Sequence, residues 1–149
     1  MPPRGKRRPS DRMVRQEDPF GCGAACVRQL LRERDIEVSE AELRERCCFV
    51  EAEGTRAEDM ARVLRELSPG RWEGGTVERD AIGAIAEHFA PFLAMLDHHW
   101  VIVDALGASE VRLRDPHDAA EVALPLSTFL DAWDLGLWRV VFEKPGRGR

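Results

Sequence analysis

Apolar positions in the first half of the chain recur every three to four residues, whereas in the second half they fall into short runs and alternations. After Cys22, the residues Ala25, Cys26, Leu30 and Leu31 keep helical spacing, which predicts a helix to about Glu33. Ser39 with Glu42 three residues on is a capping-box signature for a second helix, Glu40 to about Cys48. Thr55 with Glu58 repeats it, and Met60, Val63, Leu64 and Leu67 form the stripe of a third helix that Ser68-Pro69-Gly70 ends. A short strand over Arg71–Val77 follows, with Gly74-Gly75 read as a turn, then a helix from about Arg79 to His88. Pro91 to Asp97 is a nearly continuous apolar run, and Trp100–Val103 and Glu110–Arg114 are β-rich. A small helix capped by Ser127 is expected to about Asp134, and Leu137–Phe142 closes the chain as a strand. Trp100, Trp133 and Trp138 read as packing of the sheet half. Helices first and an antiparallel sheet second make an α+β layout.

At 149 residues the chain is expected to be one domain with a real core. Charge divides it further. Arg4, Lys6, Arg7, Arg8, Arg12 and Arg15 face only Asp11 near the start, and Lys144, Arg147 and Arg149 lie at the end with no acid. We therefore expect a basic disordered arm over 1–13, a globular domain over 14–143 and a basic tail over 144–149. The body between them is acidic and would repel a phosphate backbone, which argues against nucleic acid as a partner. No apolar run approaches the roughly 20 residues of a membrane span, and no h-region follows the basic start. A cytoplasmic, reducing setting is expected, with Cys22, Cys26, Cys47 and Cys48 as free thiols.

The candidate chemistry begins where the first helix begins. Cys22 sits at its start, where unpaired N–H groups and the positive dipole end favour a thiolate. Gln16, six residues upstream, could curl back and donate to a developing oxyanion. A base comes from the sheet half. A hairpin symmetric about Gly107 would set Val103 against Val111, Val101 against Leu113 and His99 against Asp115. His98 has the wrong parity in that register, and a one-residue slip would reverse the choice. Cys22 is then the nucleophile, His99 the base, Asp115 the group that orients the imidazole, and Gln16 with the Cys22 N–H the oxyanion donors. The chemistry is acyl transfer, most simply amide hydrolysis.

Gln16, Cys22-Gly23, Ala25-Cys26, the β segment that begins with His99, and Asp115-Pro116 together resemble the C39 cysteine peptidases. The resemblance runs from about Val14 to Phe142, and includes Val38–Leu43, Gly54-Thr55, Phe129 and Trp133. It implies a papain-like two-lobed fold, with helices carrying the cysteine, a sheet carrying His and Asp, and the site between. It also implies cleavage of a leader peptide after a double glycine, with no cofactor and no metal. The family typically carries an acidic residue just before the cysteine, where this chain has Gly21. With no membrane segment and no P-loop here, a transporter or precursor peptide is expected to be encoded separately. A second reading is a papain-like toxin or effector that deamidates or transfers an acyl group on a host or competitor protein, with the same residues. A third class is a zinc or redox module built on the four cysteines and a histidine, although their spacing matches tetrahedral sites poorly.

Overall fold

The computed structural model describes residues 5–48 and 54–145. The elements run β1 (Lys6–Pro9), α1 (Cys22–Arg32), α2 (Glu40–Arg46), α3 (Ala57–Leu67), β2 (Arg71–Thr76), a 3₁₀ turn (Arg79–Ala81) and α4 (Ile82–Phe89). They continue with β3 (Phe92–Leu96), β4 (His99–Leu106), β5 (Glu110–Asp115), β6 (Ala120–Pro125), α5 (Leu126–Leu135) and β7 (Arg139–Lys144). The strands form one sheet in the order β1-β6-β5-β4-β3-β7-β2, and every ladder is antiparallel. Among the described residues, no helix is long and apolar enough to cross a membrane.

Helices cover both faces of this sheet, which explains the apolar run in β3. Leu93, Met95, Trp100 and Ile102 join Val27, Leu30, Met60 and Leu64 of α1 and α3 in one core. Phe92, Ala94, Val101, Val103 and Leu113 join Ile85, Phe129 and Trp133 of α4 and α5 in the other. A strand buried on both faces has no reason to alternate with polar residues.

Local chemistry decides where the elements begin. Ser39 caps α2, accepting from the Glu42 N–H at 3.1 Å. Thr55 does not cap α3, which is entered through Arg56 without a side-chain cap; buried Thr55 instead offers its carbonyl to Trp100 Nε1 at 3.0 Å. α5 starts one residue before Ser127 and uses no side-chain cap. Gly74-Gly75 lies within β2 rather than in a turn, because α3 passes so close that a Cβ on Gly74 would sit 2.2 Å from the Ala57 carbonyl oxygen. Trp138 is no core residue: 37% exposed and at φ 56°, it bonds Asp134 through Nε1 at 2.8 Å.

The expected disordered arm is the largest departure. Its residues 6–9 form β1 along the outer edge of β6, with Lys6 beside Ala123 and Pro9 beside Ala120, and Met13 is buried. Its ladder pairs the N–H and C=O groups that the β6 edge would otherwise leave open, and β1 becomes the short, charged edge of the sheet. Charge brings it there: Arg8 meets Glu121 at 3.3 Å, Ser10 meets Glu121 at 2.7 Å, and Arg7 meets Asp118 at 2.9 Å. At the other end Lys144 belongs to β7 and pairs with Glu73 at 2.5 Å, while Arg4 and residues 146–149 lie outside the described residues.

Candidate active site

The loop Gln16–Gly21 folds on itself before α1. Asp18 Oδ1 accepts the Phe20 N–H at 2.9 Å, and the Gly21 N–H reaches the Asp18 carbonyl at 2.9 Å. α1 opens at Cys22 with no side-chain cap and no acid in its first turn, so the positive end of the helix faces partly exposed Cys22. Cys26, one turn on, is buried with Sγ 3.5 Å from the Trp100 carbonyl oxygen, and burial pushes its thiol well above the usual range. Burial likewise pushes the Cys47 thiol up to about 12. All four cysteines are unbridged, and among the described residues no three His, Cys, Asp or Glu side chains are gathered as a metal site.

The Gln16 N–H donates to the Pro116 carbonyl at 2.7 Å, which ties the loop before Cys22 to the turn after Asp115. Its side-chain Nε2 lies 3.0 Å from the Asp18 carbonyl oxygen and 3.2 Å from that of Pro19, and its buried Oε1 has no partner. Behind this loop stands Glu40, buried at the start of α2. Its carboxylate accepts the N–H groups of Glu17 at 2.8 Å and Asp18 at 3.0 Å. Burial raises its pKa, and those two N–H groups pull the other way. A Cβ on Gly21 would lie 2.3 Å from Glu40 Oε2, so the carboxylate fills the space that a side chain at 21 would need. From sequence Glu40 looks like an ordinary first-turn acid of α2; only the through-space contact gives it a second role.

His99 and Asp115 meet, but not by the expected pairing. Val103 pairs with Leu113 and Ile102 with Arg114, whereas Leu106 pairs with Val111 and Ala105 with Arg112. The turn lies later than Gly107, whose N–H reaches the Glu110 carbonyl at 2.9 Å, and that alone would reverse the parity. The register shift between Val103 and Ala105, a bulge at Asp104, reverses it again. His99 therefore keeps the parity of Asp115 but reaches it diagonally. The bulged Asp104 holds Nε and Nη2 of buried Arg114, both at 2.9 Å. Arg114 also reaches Glu33, the residue that caps the C-terminus of α1, at 2.5 Å, so the bulge is anchored to the far end of the helix that begins at Cys22.

His99 Nε2 lies 2.5 Å from Asp115 Oδ1, which also accepts the His117 N–H at 2.9 Å. Asp115 Oδ2 takes the guanidinium of Arg7, itself held by Asp118 through Nε at 2.9 Å and Nη2 at 3.0 Å. Cys22 lies near enough to the same imidazole to raise its pKa. With Nε2 committed to Asp115, Nδ1 is the nitrogen left for another partner. Burial lowers the His99 pKa, but the bonds and charges of Asp115 and Cys22 outweigh it and raise the value to about 9. Burial raises that of Asp115, and the His99 bond and charge, the His117 N–H and Arg7 bring it down to about 2. His98 is turned to solvent, its side chain 94% exposed beside Asp97. His99 and Asp115 thus meet, with Arg7 on the far oxygen of Asp115, and the loop from Gln16 to Cys22 is tied to the turn after Asp115 and backed by Glu40; Arg7 and Glu40 are residues the sequence pattern did not single out.

Comparison with known proteins fits this geometry. Cysteine protease effector 1 of Escherichia coli O1:K1:H7 is 27% identical over 128 residues, 82% of this chain, although the chain spans only 25% of that protein's length. The fold is similar to a double glycine motif protease from an AMS/PCAT transporter, solved with its leader peptide (TM-score 0.72, 18% identity, 96% of this chain and 95% of that one). It is also similar to the peptidase domain of Streptococcus ComA, a bi-functional ABC transporter involved in a quorum-sensing pathway (TM-score 0.74, 18% identity, 90% and 98%). Residues 10–144 match the model of the Peptidase C39 family, and the chain belongs to that family of cysteine peptidases.

Proposed function

We propose that the chain hydrolyses a peptide bond in a protein or peptide substrate through Cys22, His99 and Asp115. The observation that carries this is the buried His99–Asp115 pair, Nε2 lying 2.5 Å from Oδ1, with Cys22 near enough to raise the pKa of the same ring. His99 takes the thiol proton, and Asp115 favours the imidazolium so formed. The sulfur attacks the carbonyl carbon, and the oxyanion lies toward the α1 N-terminus, where the Cys22 N–H donates. Gln16 is the second donor; one of its two amide hydrogens can serve the adjacent carbonyls of Asp18 and Pro19, leaving the other for the oxyanion. The imidazolium protonates the leaving amine, and His99 then takes a proton from water as it hydrolyses the thioester.

The double glycine protease and its leader peptide support a leader-peptide substrate. The E. coli effector supports cleavage of a target protein instead. Intact-mass analysis of Gly-Gly leader peptides and candidate target proteins, incubated with the wild type and Cys22→Ala, separates these substrates. It also separates a backbone cut from deamidation, a shift of about one dalton. If iodoacetamide does not label Cys22 in the folded protein, the nucleophile is misassigned.

A further inference from the structure

We propose that Arg7 is a positioning residue, through which β1 keeps Asp115 ionised and oriented toward His99. The inference rests on the role given to Asp115 above. Asp115 is wholly buried, and a carboxylate there must have both oxygens satisfied to keep its charge. Oδ1 is taken by His99 and the His117 N–H. Oδ2 receives the guanidinium of Arg7. The β1–β6 ladder brings Arg7 to this spot by pairing it with Val122.

Asp118 grips Arg7 through both Nε and Nη2, so the planar fork bridges two carboxylates in a fixed direction. A lysine ammonium carries the charge without the fork and would aim it less well. Arg8, on the same strand, pairs with Glu121 and has a side chain 78% exposed, so it is the natural control. Edge strand and site are coupled on this view: anything that peels β1 from β6 withdraws Arg7 from Asp115.

The test needs no known substrate. The rate at which iodoacetamide labels Cys22 is followed against pH in the whole protein for Arg7→Gln, Arg7→Lys, Asp118→Asn, Arg8→Gln, Asp115→Asn and Cys22→Ala, with thermal melts alongside. Without Arg7, Asp115 holds the imidazolium less well, and the onset of labelling moves up by about one pH unit in Arg7→Gln. Arg7→Lys and Asp118→Asn, which leave a cation on β1, move it up by less, and Arg8→Gln leaves it in place. A profile unchanged or displaced downward in folded Arg7→Gln overturns the inference. Should that variant fail to fold, wild-type profiles in both Arg7→Lys and Asp118→Asn overturn it equally. If Asp115→Asn itself keeps the wild-type profile, or Cys22→Ala loses none of the labelling beyond that of exposed Cys48, the catalytic assignment has failed instead.

Discussion

The segment from Gln16 to Arg32 and the β4–β5 hairpin each contribute half of the candidate site, by different means. In the first, a self-bonded loop and the end of a helix place Gln16 and Cys22 within six residues of each other. In the second, His99 and Asp115 lie sixteen residues apart, and a bulge, a buried arginine and an edge strand from the start of the chain hold them in register. The helical half supplies its chemistry from local geometry, with Glu40 as the distant brace. The hairpin half depends on remote residues and has more ways to fail.

The sharpest trial of the comparison takes one residue from each half. Cys22→Ala and His99→Ala should each lower cleavage by at least about a thousandfold, the first with little change in melting temperature and the second with a lower one, since buried Asp115 loses its partner. His98→Ala should stay near wild type; if it is the damaging variant, the parity through Asp104 is wrong.

Asp115→Asn should cost less, about a hundredfold in kcat, and should change the pH dependence. His99 keeps its proton up to about 9, so the alkaline limb of kcat/KM should lie there and move down toward an ordinary imidazole value in the variant. Stability follows the same signs. The raised His99 value stabilises fully below about 6.5 and is lost as pH climbs through about 9. The lowered Asp115 value stabilises above about 4 and is lost as pH falls through about 2. Denaturation of wild type and Asp115→Asn should therefore differ most near pH 5–6 and converge at either extreme.

Asp104→Ala tests the hairpin alone. It leaves buried Arg114 with Glu33 and the Arg12 carbonyl but without its two bonds to the bulge, and should destabilise by about 2 kcal/mol in urea titrations. Gln16→Ala, on the helical side, should be mildest: about tenfold in kcat with KM little altered, measured on the cleaved substrate.

What was legible in the sequence follows the same division. Cys22, Gln16 and the three amphipathic helices could be read because spacing over a few residues determines them. His99 and Asp115 could be read only because the later turn and the bulge at Asp104 shift parity in opposite senses and cancel. Arg7 and Glu40 were not legible, since their roles depend on neighbours distant in the chain; Arg7 meets Asp118 across 111 residues. The same blindness made β1 look like a solvated arm: its cations were weighed without the acids of β6 and its preceding turn.

The contact between Gly21 and Glu40 bears on how such domains can be recombined. A side chain at 21 and a carboxylate reaching in from 40 compete for one volume, 2.3 Å from where a Cβ would stand. Gly21→Asp alone should push Glu40 off the Glu17 and Asp18 N–H groups and lower the melting temperature, while Glu40→Ala beside it removes the clash, so a graft of this catalytic loop into a relative should carry α2's first residue with it.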